Sequence, residues 1–177
     1  MDDELRALRL ADDGTIPNSG LPLLHYAGAL AADAGPGAFE SLFAGNGWGR
    51  SWRNGIFDFR HYHSTAHEVL GIAAGQVRVE LGGPRGQVVE LHAGDAVLIP
   101  AGVSHLSLGG TGLLVVGAYP DGTTEVDLCR DTAADREAAL PRLAALKLPR
   151  TDPVLGAGGG LRALWTTSEA RPCRNGH

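Results

Sequence analysis

The sequence predicts an all-β fold of about seven short strands, and three features of the chain indicate it. Its 177 residues include 26 glycines, and glycine-rich turns between short apolar runs are typical of sheet proteins. In residues 77–81, VRVEL, apolar and charged side chains alternate strictly, as in a strand with one buried face. Turn residues recur about every eight to twelve positions, a spacing found in β-sandwiches and barrels.

The strands are predicted between residues 55 and 119, where turn residues separate the apolar stretches. Residues 82–86 are rich in glycine, residues 93–95 contain Gly94, and Pro100 begins a third turn. Between these turns we predict strands at residues 55–63, 68–74, 77–81, 87–91 and 96–99, another after the PAGVSH bend, and a last one at 112–119.

The two flanks are predicted to hold short helices and two extended pieces. Residues 38–44 have helical spacing and stop at the GNGWG breaker. Residues 131–146 are rich in alanine and helical, and Pro141 is expected to break this helix into two because proline lacks an N–H group. Residues 21–26 are an extended candidate, and residues 161–165 are a candidate edge strand.

The length predicts one domain over residues 1–177, with a barrel core at about 50–120, an N-terminal arm at 1–49 and a C-terminal segment at 121–177. The formal net charge is −5, with a single lysine, Lys147, so no basic face for nucleic acid is evident. No apolar run is long enough to span a membrane, and the opening MDDELRALRL does not resemble a signal peptide. We expect a cytoplasmic protein without nucleic-acid or membrane partners, in which Cys129 and Cys173 are free thiols.

A cluster of histidines stands out in the stretch HYHSTAHE at residues 61–68. Alternate residues of a strand share a face, so one face of residues 55–63 would carry Phe57, Phe59, His61 and His63. Two imidazoles on one face of a strand can bind a single metal ion. A polar strand that faces water is the alternative.

Further metal ligands would have to come from other parts of the chain. Glu68 opens the next strand and offers a carboxylate, while His105 follows the turn that begins at Pro100. His67 is adjacent to Glu68 in a strand, so we expect its ring to face the opposite way.

These residues resemble the two sequence motifs of the cupin family. The first motif, G-x5-H-x-H-x(3,4)-E-x6-G, is matched by Gly55, His61, His63, Glu68 and Gly75. The second, G-x5-P-x-G-x2-H-x3-N, is matched by Gly94, Pro100, Gly102 and His105, with Gly109 in place of the final asparagine. Across most of its length the chain is similar to the YjlB-like single-domain bacterial cupins.

The resemblance implies a jelly-roll barrel, the double-stranded β-helix of the RmlC-like cupins, with short helices in the flanks. It also implies one divalent transition metal per chain (Fe, Mn, Ni, Zn or Cu), bound by His61, His63, Glu68 and His105. The asparagine that Gly109 replaces is not a ligand in the family, so its absence leaves the metal prediction unchanged.

The predicted barrel interior limits the choice of ligand. By strand alternation its side chains include no arginine or lysine, whereas Arg60 and Arg78 point outward. A pocket without a fixed cation binds phosphates poorly. We therefore expect a small, largely uncharged or metal-chelating ligand, with Phe57, Phe59 and Tyr119 as candidate pocket residues, although Phe57 and Phe59 fit core packing as well.

Four protein ligands leave open positions on an octahedral ion, as catalysis requires. The resemblance favours a metal-dependent enzyme, with a dioxygenase ahead of an isomerase or lyase, and it assigns no catalytic residue. A non-catalytic cupin that binds or senses a small ligand is the competing class, and a purely structural metal is a third reading.

Trp48 and Trp52 lie in the glycine-rich approach to the barrel, where they could cap its mouth or fill a dimer interface.

A homodimer is expected as well. Residues 148–165 and 21–26 are apolar pieces that one small barrel does not obviously need, and a two-fold pairing would bury them. The alternative is that these pieces fold back on their own barrel and close its wider end.

Overall fold

Nine strands and three helices form residues 5–169, the part of the chain that the computed structural model describes, with side chains as far as Trp165. Cys173 lies outside the described residues. The strands are β1 Leu5–Leu10, β2 Ser19–Tyr26, β3 Trp48–Asn54, β4 His61–Tyr62, β5 Glu68–Leu81, β6 Gln87–His92, β7 Ala96–Ile99, β8 His105–Pro120 and β9 Cys129–Arg130. The helices are α1 Pro36–Gly45, α2 Ala133–Ala145 and α3 Gly160–Glu169.

All strands belong to one antiparallel sheet with the order β1-β2-β7-β5-β8-β4-β9, to which β6 is added at β5 and β3 at β8. Strands β5 and β8, of 14 and 16 residues, pair along most of their length. On its other side β5 pairs first with β7 and then with β6, and this change of partner accompanies the curling of the sheet. The predicted all-β class with short flanking helices is confirmed.

The two faces of the sheet carry separate apolar layers, because side chains alternate along each strand. The layer inside the curled sheet is formed by Leu10, Leu23, Leu70, Ile72, Val77, Val79, Leu81, Leu91, Val97, Ile99, Val103 and Val115. The opposite face is covered by α1 and α3, whose buried side chains are Phe39, Phe43, Leu161 and Trp165. The β5 side chains that strand alternation predicts to face inward, such as Leu70 and Val77, therefore lie in the inner layer. Arg78, predicted to point outward, is exposed.

Two glycines of the sequence motifs allow close approaches between backbones. Gly75 has φ +74°, and a Cβ there would lie 2.2 Å from the Thr111 carbonyl oxygen. It sits within β5, so the two strands predicted at 68–74 and 77–81 are one strand with a register shift beside Gly75. Gly102 has φ +92°, and a Cβ there would lie 2.3 Å from the Asn18 carbonyl oxygen, so only glycine fits the turn before His105.

Two strand predictions near the histidines need correction. The strand predicted at residues 55–63 is wrong, because only His61 and Tyr62 pair with neighbouring strands. Phe57 and Phe59 do share a side, since their rings stack with centroids 4.8 Å apart, but the backbone bends at residues 58–59 and residues 55–60 form no ladder. A single backbone hydrogen bond, from Ser107 N–H to the Phe57 carbonyl over 2.9 Å, connects this segment with β8. The strand predicted after PAGVSH and the one at 112–119 are continuous and form β8.

Two helix predictions also need correction. Residues 161–165 belong to α3 and not to an edge strand, and they bury Leu161 and Trp165, which are four positions apart on one helical face. Pro141 does not divide the preceding helix, since α2 runs from Ala133 to Ala145 through it. Its ring removes the bond to the Glu137 carbonyl, but Glu137 is exposed, so water can solvate that group.

The flanks contribute strands and core to the sheet. β1 and β2, from the predicted N-terminal arm, extend the sheet at β7, and neither β1 nor β3 was expected from the sequence. In the C-terminal segment, Leu161 and Trp165 pack against Leu24 and Tyr26 of the same chain. Part of the apolar surface that suggested a dimer is thus buried within one chain, although Leu155 is 53% exposed. The homodimer stays a prediction, as does the single-domain organisation.

Among residues 5–169, none of the helices combines the length and the apolar character needed to cross a membrane. The cytoplasmic location stays a prediction.

Candidate metal centre

Three histidines converge from β4, from the residue that follows it and from the start of β8. β4 pairs with β8 so that His61 lies directly opposite His105, and their ring centroids are 4.0 Å apart. His63 follows β4 by one residue, with its ring centroid 5.6 Å from each of the other two. One nitrogen from each ring lies within 4.8 Å of the others, so the three are positioned to hold a metal ion.

The same ring nitrogen is engaged in all three histidines. Each Nδ1 lies at hydrogen-bonding distance from a backbone carbonyl, and the acceptors for His61, His63 and His105 are those of Phe59, Asp127 and Val103. An Nδ1–H that donates in this way fixes the ring orientation and leaves Nε2 as the ligand atom, an arrangement common at metal sites.

Glu68 is the first residue of β5, and its side chain lies among these nitrogens. Its Oε1 is 3.4 Å from His105 Nε2, and its Oε2 is 3.5 Å from His63 Nε2. Burial alone would raise the pKa of this carboxyl group, but the interactions with His105 and His63 outweigh burial and lower it. The group is therefore an ionised carboxylate with only 3% of its surface exposed.

The protonation of the histidines suits metal binding too. Burial and the nearby His105 lower the pKa of His61 to about 3, so its imidazole is neutral near neutral pH. Burial opposes protonation of His63, but the hydrogen bond and charge of Glu68 raise its pKa overall. A bound metal ion would take the place of the proton that His63 otherwise binds. Three imidazole nitrogens and one carboxylate form a donor set that fits a divalent transition metal.

The histidines open into a cavity of about 260 Å³. The described residues that line it include no arginine or lysine; they are Trp52, Asn54, Gly55, Ile56, Phe57, His61, His63, Glu68, Leu70, His105 and Tyr119. Trp52 Nε1 donates to the Tyr119 hydroxyl oxygen over 2.9 Å. The indole packs closely against β8 because the residue next to it is Gly117, where a Cβ would come within 2.1 Å of the ring.

The other residues singled out in the sequence take different positions around this cavity. Phe57 lies at its mouth and is 51% exposed, whereas Phe59 is not part of the lining. Phe59 stacks on Phe57 and carries the Arg130 guanidinium 4.0 Å above its ring. Trp48 neither caps the mouth nor faces outward, since it is buried in the outer core layer, where Nε1 donates to the Thr151 carbonyl.

His67 points away from the cluster, as strand alternation predicts. Its Nδ1 accepts the backbone N–H of Ala101 over 2.9 Å, and its ring contacts Trp165 with centroids 4.9 Å apart. Burial lowers the pKa of His67 to about 4, and the nearby Lys147 backbone only partly offsets this effect. His67 Nε2 is buried without a hydrogen-bond partner among the described residues.

Sequence reasoning missed Asp127, which contacts the histidine loop from a distant part of the chain. Its carbonyl accepts from His63 Nδ1, and its carboxylate accepts from the backbone N–H of Ser64 over 2.7 Å. Several further hydrogen bonds reach this carboxylate and lower its pKa to about 2 against the cost of burial. No spacing in the sequence connects Asp127 with a loop more than 60 residues earlier.

Comparison with known proteins gives one family and one relative of similar length. The Cupin domain family model matches residues 54–107. Over 167 residues the chain is 35% identical to the Bacillus subtilis (strain 168) protein named "Uncharacterized protein YjlB", covering 93% of this chain and 99% of that protein.

Two of the similar solved structures are enzymes, and both likenesses concern the fold alone. Acireductone dioxygenase from Bacillus anthracis is 23% identical with a TM-score of 0.38, over 51% of this chain and 60% of the dioxygenase. The sugar 3,4-ketoisomerase QdtA from Thermoanaerobacterium thermosaccharolyticum is 19% identical with a TM-score of 0.39, over 54% and 75% of the two chains.

Proposed function

The chain belongs to the cupin family, and from this premise we propose that it is a metal-dependent enzyme acting on a small organic molecule. We assign one divalent transition metal per chain to His61, His63, Glu68 and His105. The observation that carries the proposal is the convergence of three histidines in the lining of a cavity, where two of them contact a buried carboxylate through Nε2.

Four protein ligands leave two positions of an octahedral ion for water, oxygen or a chelating substrate. A transition metal bound there would supply Lewis acidity and, if redox-active, electron transfer to oxygen. The protein's own contribution is orientation and the exclusion of water. Phe57, Ile56 and Leu70 provide apolar walls beside the ligands.

Tyr119 is the polar group best placed to orient a substrate. Burial and the charge of Glu68 raise the pKa of its hydroxyl, so the group stays protonated. Its oxygen accepts from Trp52 Nε1, and its O–H also interacts with the Glu68 carboxylate, so an oxygen or sulfur atom of the substrate would share or take over that donor.

The cavity supports a substrate that is small and carries no phosphate. At about 260 Å³ it is slightly below the range of pockets that bind drug-sized molecules, about 300–1,000 Å³. Within residues 5–165 its lining offers no arginine or lysine to pair with a phosphate. Enediols, thiols and diketones fit these limits, because enediols and diketones can chelate a metal through two oxygens and a thiol can bind it through sulfur.

Within this proposal we place dioxygenase chemistry ahead of isomerase or lyase chemistry, which the same site could perform through Lewis acidity alone. A non-catalytic cupin that binds or senses a small ligand uses the same residues without turnover. A structural metal would hold the ligands without exchangeable water.

Elemental analysis of the purified protein, followed by oxygen uptake with a panel of enediols, thiols and diketones, separates these functions. Iron, copper or manganese with turnover supports the dioxygenase, and product formation without oxygen uptake supports an isomerase or lyase. Ligand binding without turnover supports the sensor, and zinc without exchangeable water supports the structural role.

The ligand assignment is tested by replacing His61 and His63 together with alanine, which should abolish stoichiometric metal. His92→Ala is the matched control, because His92 lies at the end of β6 with 58% of its side chain exposed, and its ring contacts the exposed Glu90 rather than the cluster. A double variant that still retains one equivalent of metal would place the site elsewhere.

A further inference from the structure

We propose that Asp127 is a positioning residue for the metal centre, which it controls through the orientation of His63. Its backbone carbonyl holds the imidazole, and its carboxylate holds the loop that follows His63. The inference rests on the proposed function, since the orientation of His63 matters in this way only if that residue binds the metal.

The carboxylate of Asp127 binds both residues that follow His63. Oδ1 accepts from the backbone N–H groups of Ser64 and Thr65 over 2.7 and 3.2 Å and from the Thr65 hydroxyl over 3.0 Å. Oδ2 accepts from the Ser64 hydroxyl. In return, the backbone N–H of Asp127 donates to the Thr65 hydroxyl oxygen over 3.0 Å. These reciprocal bonds bring the Asp127 carbonyl to His63 Nδ1.

The site is buried enough for these bonds to matter. Ser64 is fully buried, and only 12% of the Asp127 side chain is exposed. Hydrogen bonds that are sheltered from water and involve a charged acceptor are stronger than those at the surface. The exposed Arg142 also donates to Oδ2 over 3.3 Å, but water competes for that contact.

His63 differs from the other two histidines in how its ring is held. His61 and His105 each use a carbonyl two positions earlier, in their own strand or its approach. His63 uses a carbonyl 64 positions away. Its orientation therefore depends on residues 121–130 docking onto the histidine loop, whereas the other two rings are set by local backbone.

This difference couples metal binding to the docking of residues 121–130. If docking fixes the ring of His63 in the ligating orientation, metal binding must in turn stabilise docking by the same free energy. Loss of a hydrogen-bonding partner behind a metal ligand typically lowers metal affinity about 10–100-fold. We expect a loss of this size when the Asp127 carboxylate is removed.

The test measures Co²⁺ affinity of the full-length protein by chelator competition, together with the Co²⁺ absorption spectrum. Asp127→Ala should weaken Co²⁺ about 10–100-fold and alter the spectrum. In a His63→Ala background the same change should alter affinity less than about threefold, since the ring it positions is gone. Arg142→Ala, which removes only the exposed partner of the carboxylate, is the control and should bind as the wild type does.

Equal losses in the two backgrounds would mean that Asp127 supports the fold generally, and no loss would refute the inference outright. If Asp127→Ala does not fold, Thr65→Val takes its place, because it removes two of the hydrogen bonds at nearly constant volume. A wild-type protein that binds no Co²⁺ would instead refute the metal proposal itself.

The reciprocal effect gives a readout that leaves Asp127 intact. Metal should slow amide hydrogen exchange in residues 121–130 of the wild type and should not do so in His63→Ala. Equal protection in both proteins, or no protection in the wild type despite bound metal, would contradict the coupling.

Discussion

The buried neutral state of His67 should make the apoprotein less stable in mild acid. The pKa of this histidine is about 4 in the folded chain, against an ordinary value of 6.5. Between these two values the unfolded chain binds a proton that the folded chain rejects, so stability falls as pH drops from 6.5 towards 4. Each pH unit within that window corresponds to about 1.4 kcal/mol, or about 3 kcal/mol in total.

The comparison that isolates this effect is His67→Asn against the wild type, both with a chelator present. The asparagine oxygen can still accept the Ala101 N–H, but the side chain does not titrate. Urea unfolding at pH 6.5 and pH 5 should show the wild type losing about 2 kcal/mol more than the variant. His61 and His63 titrate in both proteins, so their contributions cancel in the difference.

Equal losses in the two proteins would refute the reasoning, because His67 would then carry the same charge in the folded and unfolded chains. A larger loss in the variant would mean that the folded site favours the protonated ring. Metal content measured separately, without chelator, should be close to wild type in the His67 variant, because its ring faces Trp165 rather than the cluster.

Two substitutions and one measurement on the wild type test separate parts of the account. Gly117→Ala should displace Trp52, break its hydrogen bond to Tyr119 and lower the free energy of unfolding by about 1–3 kcal/mol. Urea unfolding would measure the loss, and a crystal structure would show the altered cavity. Unchanged stability with Trp52 in place would contradict this prediction. Trp165→Ala should lower the free energy of unfolding by about 3–5 kcal/mol, again measured in urea, because a fully buried ring and its hydrogen bond to the Pro22 carbonyl are lost. A loss below about 1 kcal/mol would mean that α3 is not part of the core. Sedimentation equilibrium at micromolar concentration should give twice the chain mass of 18.4 kDa, whereas a mass near 18.4 kDa at all concentrations would refute the dimer.

The grouping of the histidines was predictable because motif spacing and strand pairing point to the same residues. His61 and His105 lie 44 positions apart in the numbering of the chain, yet they are direct partners in the antiparallel ladder. Glu68 begins the strand on which Leu70 and Ile72 face inward, so alternation alone separates it from His67. The glycines at 75 and 102 mark backbone approaches that no side chain would permit.

Other features could not be read from local pattern. Over five residues, the spacing of Leu161 and Trp165 fits a strand and a helix equally well. The structure has a helix here, in which both side chains pack against the outer core layer. Phe57 and Phe59 alternate as in a strand, but the backbone bends at residues 58–59, so the hydrogen bond from Ser107 of β8 to the Phe57 carbonyl does not extend into a ladder. Asp127 reaches the site by tertiary docking, which leaves no periodic signal in the sequence.

X-ray absorption at the metal edge of the purified or Zn²⁺-reconstituted protein tests the proposed centre most directly. The account predicts one metal per chain, with outer-shell scattering from three imidazoles and a carboxylate oxygen, and with nitrogen and oxygen ligands at about 2.0–2.2 Å. The His61 and His63 double alanine variant should lose this spectrum. A wild-type protein with no stoichiometric metal, or with fewer than three imidazoles around it, would contradict the assignment of His61, His63, Glu68 and His105.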